Sequence, residues 1–173
     1  MKNLTILFAL VTFLLFLNTC RNDDEMVGDD ELEEIMLLCN SFETAEDFAD
    51  FPSGPWQMVN DAPLDGGDRS VQVIGGSGGP HVSLFLGPFE DQKLLKFEIF
   101  MKTDVDDGGT IDFMEEDNVE NSIRFQASGT FWFGQSFSGF TLPENKRLQI
   151  NMTSGGFIPI ATKYDLLKIY ELE

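Results

Sequence analysis

Between residues 35 and 173, apolar residues recur in short runs of period two, set between clusters of Gly, Pro, Asn and Asp. The longest run is 93–102, KLLKFEIFMK, where Leu95, Phe97, Ile99 and Met101 alternate with Lys96, Glu98, Phe100 and Lys102. Successive side chains of a strand point to opposite faces, so this run predicts a strand with one dry and one wet face. Leu148, Ile150 and Met152 alternate in the same way with Arg147, Gln149 and Asn151. Ile123, Phe125 and Ala127 face inward from another strand, and further runs fall at 39–43, 56–60, Ser70–Ile74, 81–86, 110–114, 130–134 and 164–172. The one helical signal is 45–51. About ten strands spaced 10–15 residues apart, each with one dry face, predict an all-β chain. The expected architecture is a two-sheet antiparallel β-sandwich.

The first 34 residues follow another pattern. Residues 4–17 are apolar except for Thr5 and Thr12, Lys2 precedes them, and Leu17, Asn18, Thr19 and Cys20 close the stretch. Its length suits the hydrophobic part of a secretory signal rather than a membrane span. Residues 21–34 hold eight acidic residues and one Arg, which predicts an extended, hydrated tether. The expected organisation is therefore a signal over 1–19, Cys20 with an acidic tether over 20–34, and one sandwich domain over 35–173.

Composition narrows the function. The chain of 173 residues carries 30 acidic and 11 basic residues for a net charge of −19, which would repel a nucleic-acid backbone. Seventeen Phe stand against two Tyr and two Trp, so core aromatics are expected to be phenylalanines. With Cys20 set aside, Cys39 is expected to stand alone as a small inward-facing residue without an internal disulfide. His81 is the single histidine, which removes Ser-His-Asp and Cys-His triads built on any other His and a His-rich zinc site. The Gly75–Gly79 loop lacks the Lys-Ser/Thr of a phosphate loop and reads as a connector.

Two resemblances add expectations. Residues 1–20 resemble a bacterial lipoprotein signal peptide, with Leu17 fitting the box before Cys20 and Asn18 and Thr19 fitting loosely. That resemblance implies lipidation of Cys20 and an outer-membrane anchor. Asp23, Asp24 and Glu25 resemble the export signal of surface lipoproteins, which implies display toward the cell exterior. In the domain, an SFE opening at 41–43, a Trp strand, the 67–73 segment GDRSVQV, a long amphipathic strand and a final strand beginning Tyr164-Asp165 resemble the jelly-roll domains of carbohydrate-binding modules. That resemblance implies non-catalytic glycan binding.

Three constellations are candidates for chemistry. The run Thr110-Ile111-Asp112-Phe113-Met114-Glu115 is similar to the active-site strand of laminarinase-type glycoside hydrolases. Thr110 replaces the nucleophilic Glu of that pattern, and a hydroxyl there cannot form the usual glycosyl-enzyme ester. Asp112 and Glu115 would remain, so catalysis is not expected. An aromatic platform is the second candidate. Trp132 lies between Phe131 and Phe133, and if both phenylalanines face the core, alternation turns the indole outward as a stacking surface. Trp56 and Phe100 are further stacking candidates, with Arg124 and Gln135 as hydrogen-bonding companions. The third is a structural calcium site on the acidic turn Asp104, Asp106, Asp107 and Gly108, with 65–68 as a second such turn. Asp and Gly are also what tight turns use. The expected function is a surface-anchored glycan-binding lipoprotein. The alternative is an accessory lipoprotein contacting an envelope protein, with a degenerate or active hydrolase or lyase ranked below both.

Overall fold

The computed structural model describes residues 32–44, 47, 54–64, 66–75, 81–104, 108–155 and 160–173. The signal, Cys20 and the acidic tether lie outside this set, as do Asp106, Asp107, the 76–80 connector and nearly all of the 45–51 segment. Ten strands follow in chain order: β1 Glu34–Asn40, β2 Trp56–Val59, β3 Ser70–Ile74, β4 His81–Phe89, β5 Lys93–Thr103, β6 Thr110–Glu115, β7 Asn118–Gln126, β8 Phe133–Leu142, β9 Lys146–Thr153 and β10 Ala161–Leu172. They form two antiparallel sheets, as the alternation predicts. One has six strands, ordered β2-β3-β10-β5-β8 with β1 also on β10; the other has four, ordered β4-β9-β6-β7.

Between the sheets lie the apolar halves of the alternating runs. Leu95, Phe97, Ile99 and Met101 of β5 and Leu148, Ile150 and Met152 of β9 are all at most 1 % exposed. Five phenylalanines, Phe42, Phe97, Phe113, Phe125 and Phe140, are buried among the described residues. Phe97 of one sheet stacks on Phe113 of the other with ring centroids 4.1 Å apart and planes 7° from parallel. Phe140 packs against Phe97 at 5.4 Å, and Phe125 meets Phe113 edge-on at 5.7 Å. The four rings run from β8 through β5 and β6 to β7 and join the two sheets.

Strand β10 organises the larger sheet. Along one edge its first half pairs with β3 and its second half with β1, while β5 runs along its other edge. A bulge between Asp165 and Lys168 sets Leu166 and Leu167 against Ile99 alone, with Leu166 at φ 48°. The bulge falls where the partner changes from β3 to β1, the position where an extra residue is tolerated because the ladder is already interrupted. Glu33 and Glu173 exchange backbone hydrogen bonds of 2.9 and 3.0 Å beyond the last rung of β1 and β10.

Three expectations need correction. The strand expected at 130–134 is β8, Phe133–Leu142, and residues 130–132 are irregular. It was hard to see because β8 is an edge strand whose outward positions are Gly134, Ser136 and Ser138, which read as loop. Phe131 and Phe133 are 83 % and 54 % exposed rather than core. Cys39 is disulfide-bonded rather than alone, with its partner outside the described residues.

The ring stack generates a stability prediction. Phe97→Ala or Phe113→Ala should each lower the unfolding free energy by about 3–5 kcal/mol in urea titrations. The double variant should lose less than the sum, because the rings share one contact.

Candidate functional site

The outer face of the four-stranded sheet is a grid of polar side chains in register. Ser83 of β4 lies opposite Asn151 of β9, Asn151 opposite Asp112 of β6, and Asp112 opposite Arg124 of β7. One rung along, Phe85, Gln149, Met114 and Ser122 form a parallel row. Alternation builds the grid: Leu84, Ile150, Phe113 and Ile123 occupy the same strands with opposite parity and face the core.

These side chains hold one another in place. Arg124 grips Asp112 with both arms of its guanidinium, Nε to Oδ1 at 2.6 Å and a terminal nitrogen to Oδ2 at 3.0 Å. The hydrogen bond to Asp112, with the attraction of its charge, raises the Arg124 pKa. Ser83 Oγ donates to Asn151 Oδ1 at 2.6 Å, and Gln149 Nε2 donates to the same oxygen at 3.0 Å. Asn151 Nδ2 faces Met114 Sδ at 3.2 Å. Thr110 and Thr153 join through their hydroxyls at 3.0 Å. Beside the grid the Phe85 ring, 40 % exposed, carries the Arg147 guanidinium 4.5 Å from its centroid. The face thus offers carboxylate acceptors, guanidinium and amide donors, and a flat apolar ring, mostly pre-positioned. That is the equipment for a polyhydroxylated ligand, whose hydroxyls both donate and accept.

Of the residues expected from the sequence to bind a ligand, only Arg124 lies on this grid; Asp112, singled out in the hydrolase-like strand, is its partner there. Gln135 turns toward the interior, donating to the Gln126 carbonyl at 2.8 Å and facing Met101 Sδ at 3.7 Å. Trp56 is half-buried and packs against the core from the inner side of β2, opposite Val73. Trp132 is half-buried on the outer side of the same six-stranded sheet. Its Nε1 donates to Asp61 at 3.1 Å, and the Lys102 ammonium stands 5.9 Å from its ring. Asp61 also receives Lys102 at 2.9 Å and Lys163 at 2.5 Å. Partial burial opposes its ionisation, but the hydrogen bonds from Lys163, Lys102 and Trp132 outweigh it and bring the carboxyl to about 2.

The hydrolase-like strand does not assemble a carboxylate pair. Thr110 is bonded to Thr153, and Asp112 points outward to Arg124. Glu115 lies level with core-facing Leu148, on the other side of the sheet, and is held by Asn118, Lys146 and Asn121. Two carboxyls on opposite faces cannot flank one glycosidic bond.

The Asp104 turn contributes no described metal cluster. Among the described residues no three His, Cys, Asp or Glu side chains converge. Asp165 is the carboxylate out of balance. It is fully buried at the β10 bulge; Oδ1 accepts the Leu166 N–H at 2.7 Å and Oδ2 accepts nothing among the described residues. Burial raises its pKa; the Leu166 bond opposes this, Glu43 and Asp47 add to it, and the carboxyl reaches about 8. The Gly66–Gly67 pair runs between the two acids: a side chain on Gly66 would strike Asp165, and one on Gly67 would strike Glu43.

The grid was legible in part. Arg147, Gln149 and Asn151 stand out as the wet half of β9, but the register that lines them up with Ser83, Asp112 and Arg124 is a long-range property.

No protein-family model matches the chain, and no curated protein matches it. Solved structures do. The CBM22-1 xylan-binding domain of Paenibacillus barcinonensis Xyn10C superposes with a TM-score of 0.60 at 14 % identity, over 83 % of this chain and 99 % of that one. A family 11 carbohydrate-binding module from Clostridium thermocellum, in complex with a β-1,3-1,4-mixed-linked tetrasaccharide, gives 0.55 at 13 %, over 81 % and 96 %. The enzymatically active domain of bacteriophage CBA120 tailspike protein 4 gives 0.58 at 16 %, where the match spans 77 % of this chain but 20 % of that one. The fold is that of the jelly-roll carbohydrate-binding modules.

Proposed function

We propose that the protein is a non-catalytic carbohydrate-binding module that holds a neutral glycan on the outer face of its four-stranded sheet. The observation that carries this reading is the Ser83–Asn151–Asp112–Arg124 row beside the Phe85 ring. A sugar ring would lay its C–H face on Phe85 and exchange hydrogen bonds with Asp112, Arg124, Asn151 and Gln149. The fold shared with xylan- and mixed-linkage-glucan-binding domains supports the same reading. An accessory role against an envelope protein is the second reading.

Affinity electrophoresis against xylan, mixed-linkage β-glucan and β-1,4-galactan tests the proposal. At least one polysaccharide should retard the native protein. Asp112→Ala or Phe85→Ala should weaken the retardation about tenfold, the worth of one charge-assisted hydrogen bond or a stacked ring. Retention of none of the three, with one stoichiometric protein partner co-purifying, favours the accessory role instead.

We also propose anchoring through a lipid on Cys20 and display at the outer surface, as the signal-like segment and the acidic tether imply; the chain has two cysteines, so in the anchored form the lipid thioether takes the place of a disulfide to Cys39 at the Cys20 sulfur. Mass spectrometry of the membrane-extracted protein should find Cys20 N-terminal and diacylglyceryl-modified. A disulfide on Cys20 in that material overturns the anchor.

A structural calcium, expected on the Asp104 turn, is better supported at Asp165 and Glu43. A cation there would satisfy the orphaned Asp165 Oδ2 and the repulsion between the two acids. Calcium should raise the thermal midpoint of the native protein relative to EDTA and leave Asp165→Asn unmoved. An equal midpoint in both conditions sinks the site.

A further inference from the structure

The outer face of the six-stranded sheet carries a second row, independent of the grid on the opposite sheet. Gln57 of β2 lies opposite Gln72 of β3, Gln72 opposite Lys163 of β10, and Lys163 opposite Lys102 of β5. The partners of the neighbouring rung, Met101 and Phe133, put Trp132 next to Lys102 at the end of the row. Two amides, two ammoniums and an indole are therefore ranged across four strands and the residue that precedes β8. The row is about 19 Å long, from four inter-strand spacings of ~4.8 Å. That is the reach of a short oligosaccharide.

Its charge differs from that of the rest of the molecule. In a chain of net charge −19, two lysines here share one carboxylate, Asp61, and among the described residues leave a local surplus of one positive charge. Asp61 ionises far below neutral pH, so it does not relieve the surplus by taking up a proton. Each ammonium has three donors. Among the described residues Lys102 spends two of them on Asp61 and Lys163 one. Donors therefore remain for a second anion. Both lysine side chains are largely covered, at 21 % and 15 % exposure, so an added contact would be screened less than one at an open surface. The indole supplies a planar apolar neighbour to the same charges.

We infer that this row is a second binding site, selective for a uronate-bearing oligosaccharide. The sugar carboxylate would bind between Lys102 and Lys163 beside Asp61, a ring would lie against Trp132, and Gln72 and Gln57 would take hydroxyls further along. The net charge of the chain repels polyanions at long range, so recognition is short-range and depends on these two ammoniums. Asp61 occupies the lysines as an internal competitor for the ligand's carboxylate.

Titration calorimetry with tetragalacturonate and with its fully methyl-esterified form tests the site. The acid should bind at least about tenfold more tightly than the ester, the worth of one hydrogen bond between charged groups. Lys102→Gln/Lys163→Gln, checked for folding by its thermal transition, should lose that preference, and Trp132→Ala should weaken both ligands. Asp61→Asn should tighten the acid severalfold, a gain that a merely structural ion cluster would not produce. Phe85→Ala, which strips the opposite face, should leave the acid's affinity where it is. Equal affinity for acid and ester overturns the inference, as does an unchanged preference in the folded double-lysine variant. Loss of acid binding in Phe85→Ala places the ligand on the other sheet and overturns it too. Should the double-lysine variant not fold, the Asp61→Asn result decides: no gain for the acid refutes the site.

Discussion

The parallel contact between Phe97 and Phe113 sets the distance between the two sheets, and both outer faces depend on it. Stacked sheets normally sit about 10 Å apart, which leaves room for two interdigitated layers of side chains. Here two rings at 4.1 Å fill that space at the middle of β5 and β6. Phe140 and Phe125 extend the contact to the edge strands on either side. With the inward positions fixed, strand alternation leaves no freedom in what faces out. Asp112 is outward because Ile111 and Phe113 are inward; Lys102 is outward because Met101 and Thr103 are inward. The recognition chemistry of each face is thus the complement of one core.

Strand β10 shows how the larger sheet departs from regular pleating. A single strand cannot hold β3 and β1 along one edge without a break where one ends and the other begins. The bulge at Leu166 is that break, and it carries Asp165 into a buried position whose second oxygen the surrounding backbone does not satisfy. A buried carboxyl oxygen left unsatisfied costs more than an ordinary hydrogen bond contributes. Its presence beside Glu43 is therefore chemically informative in a way that the exposed Asp-Gly turns are not.

The fold was legible because it rests on a local signal. The period-two runs at 93–102 and 147–152 fix face and strand without reference to the rest of the chain, and the number of strands and the sandwich follow from them. The places where reading failed were those where burial depends on distant partners. Phe131 and Phe133 look like core by type, but β8 is an edge strand and its start is open to solvent. Its Gly134, Ser136 and Ser138 look like loop, yet β5 pairs with them throughout. The TIDFME run was recognisable as a strand, but only the pairing of Glu115 with Leu148 separates its two acids. The site was least legible because each row is assembled by register from four or five separate segments. Arg124 and Trp132 could be picked out singly; that they belong to rows on different sheets could not.

The reciprocal backbone bonds between Glu33 and Glu173 place both ends of the folded unit at one pole, on neighbouring strands. Tension applied through these two ends would act on the same extremity of an antiparallel ladder. The rungs of β1 and β10 would then part in succession, as a zipper does, rather than yield together in shear. The mechanical weak point would be this terminal pair, well before the phenylalanine stack bears any load.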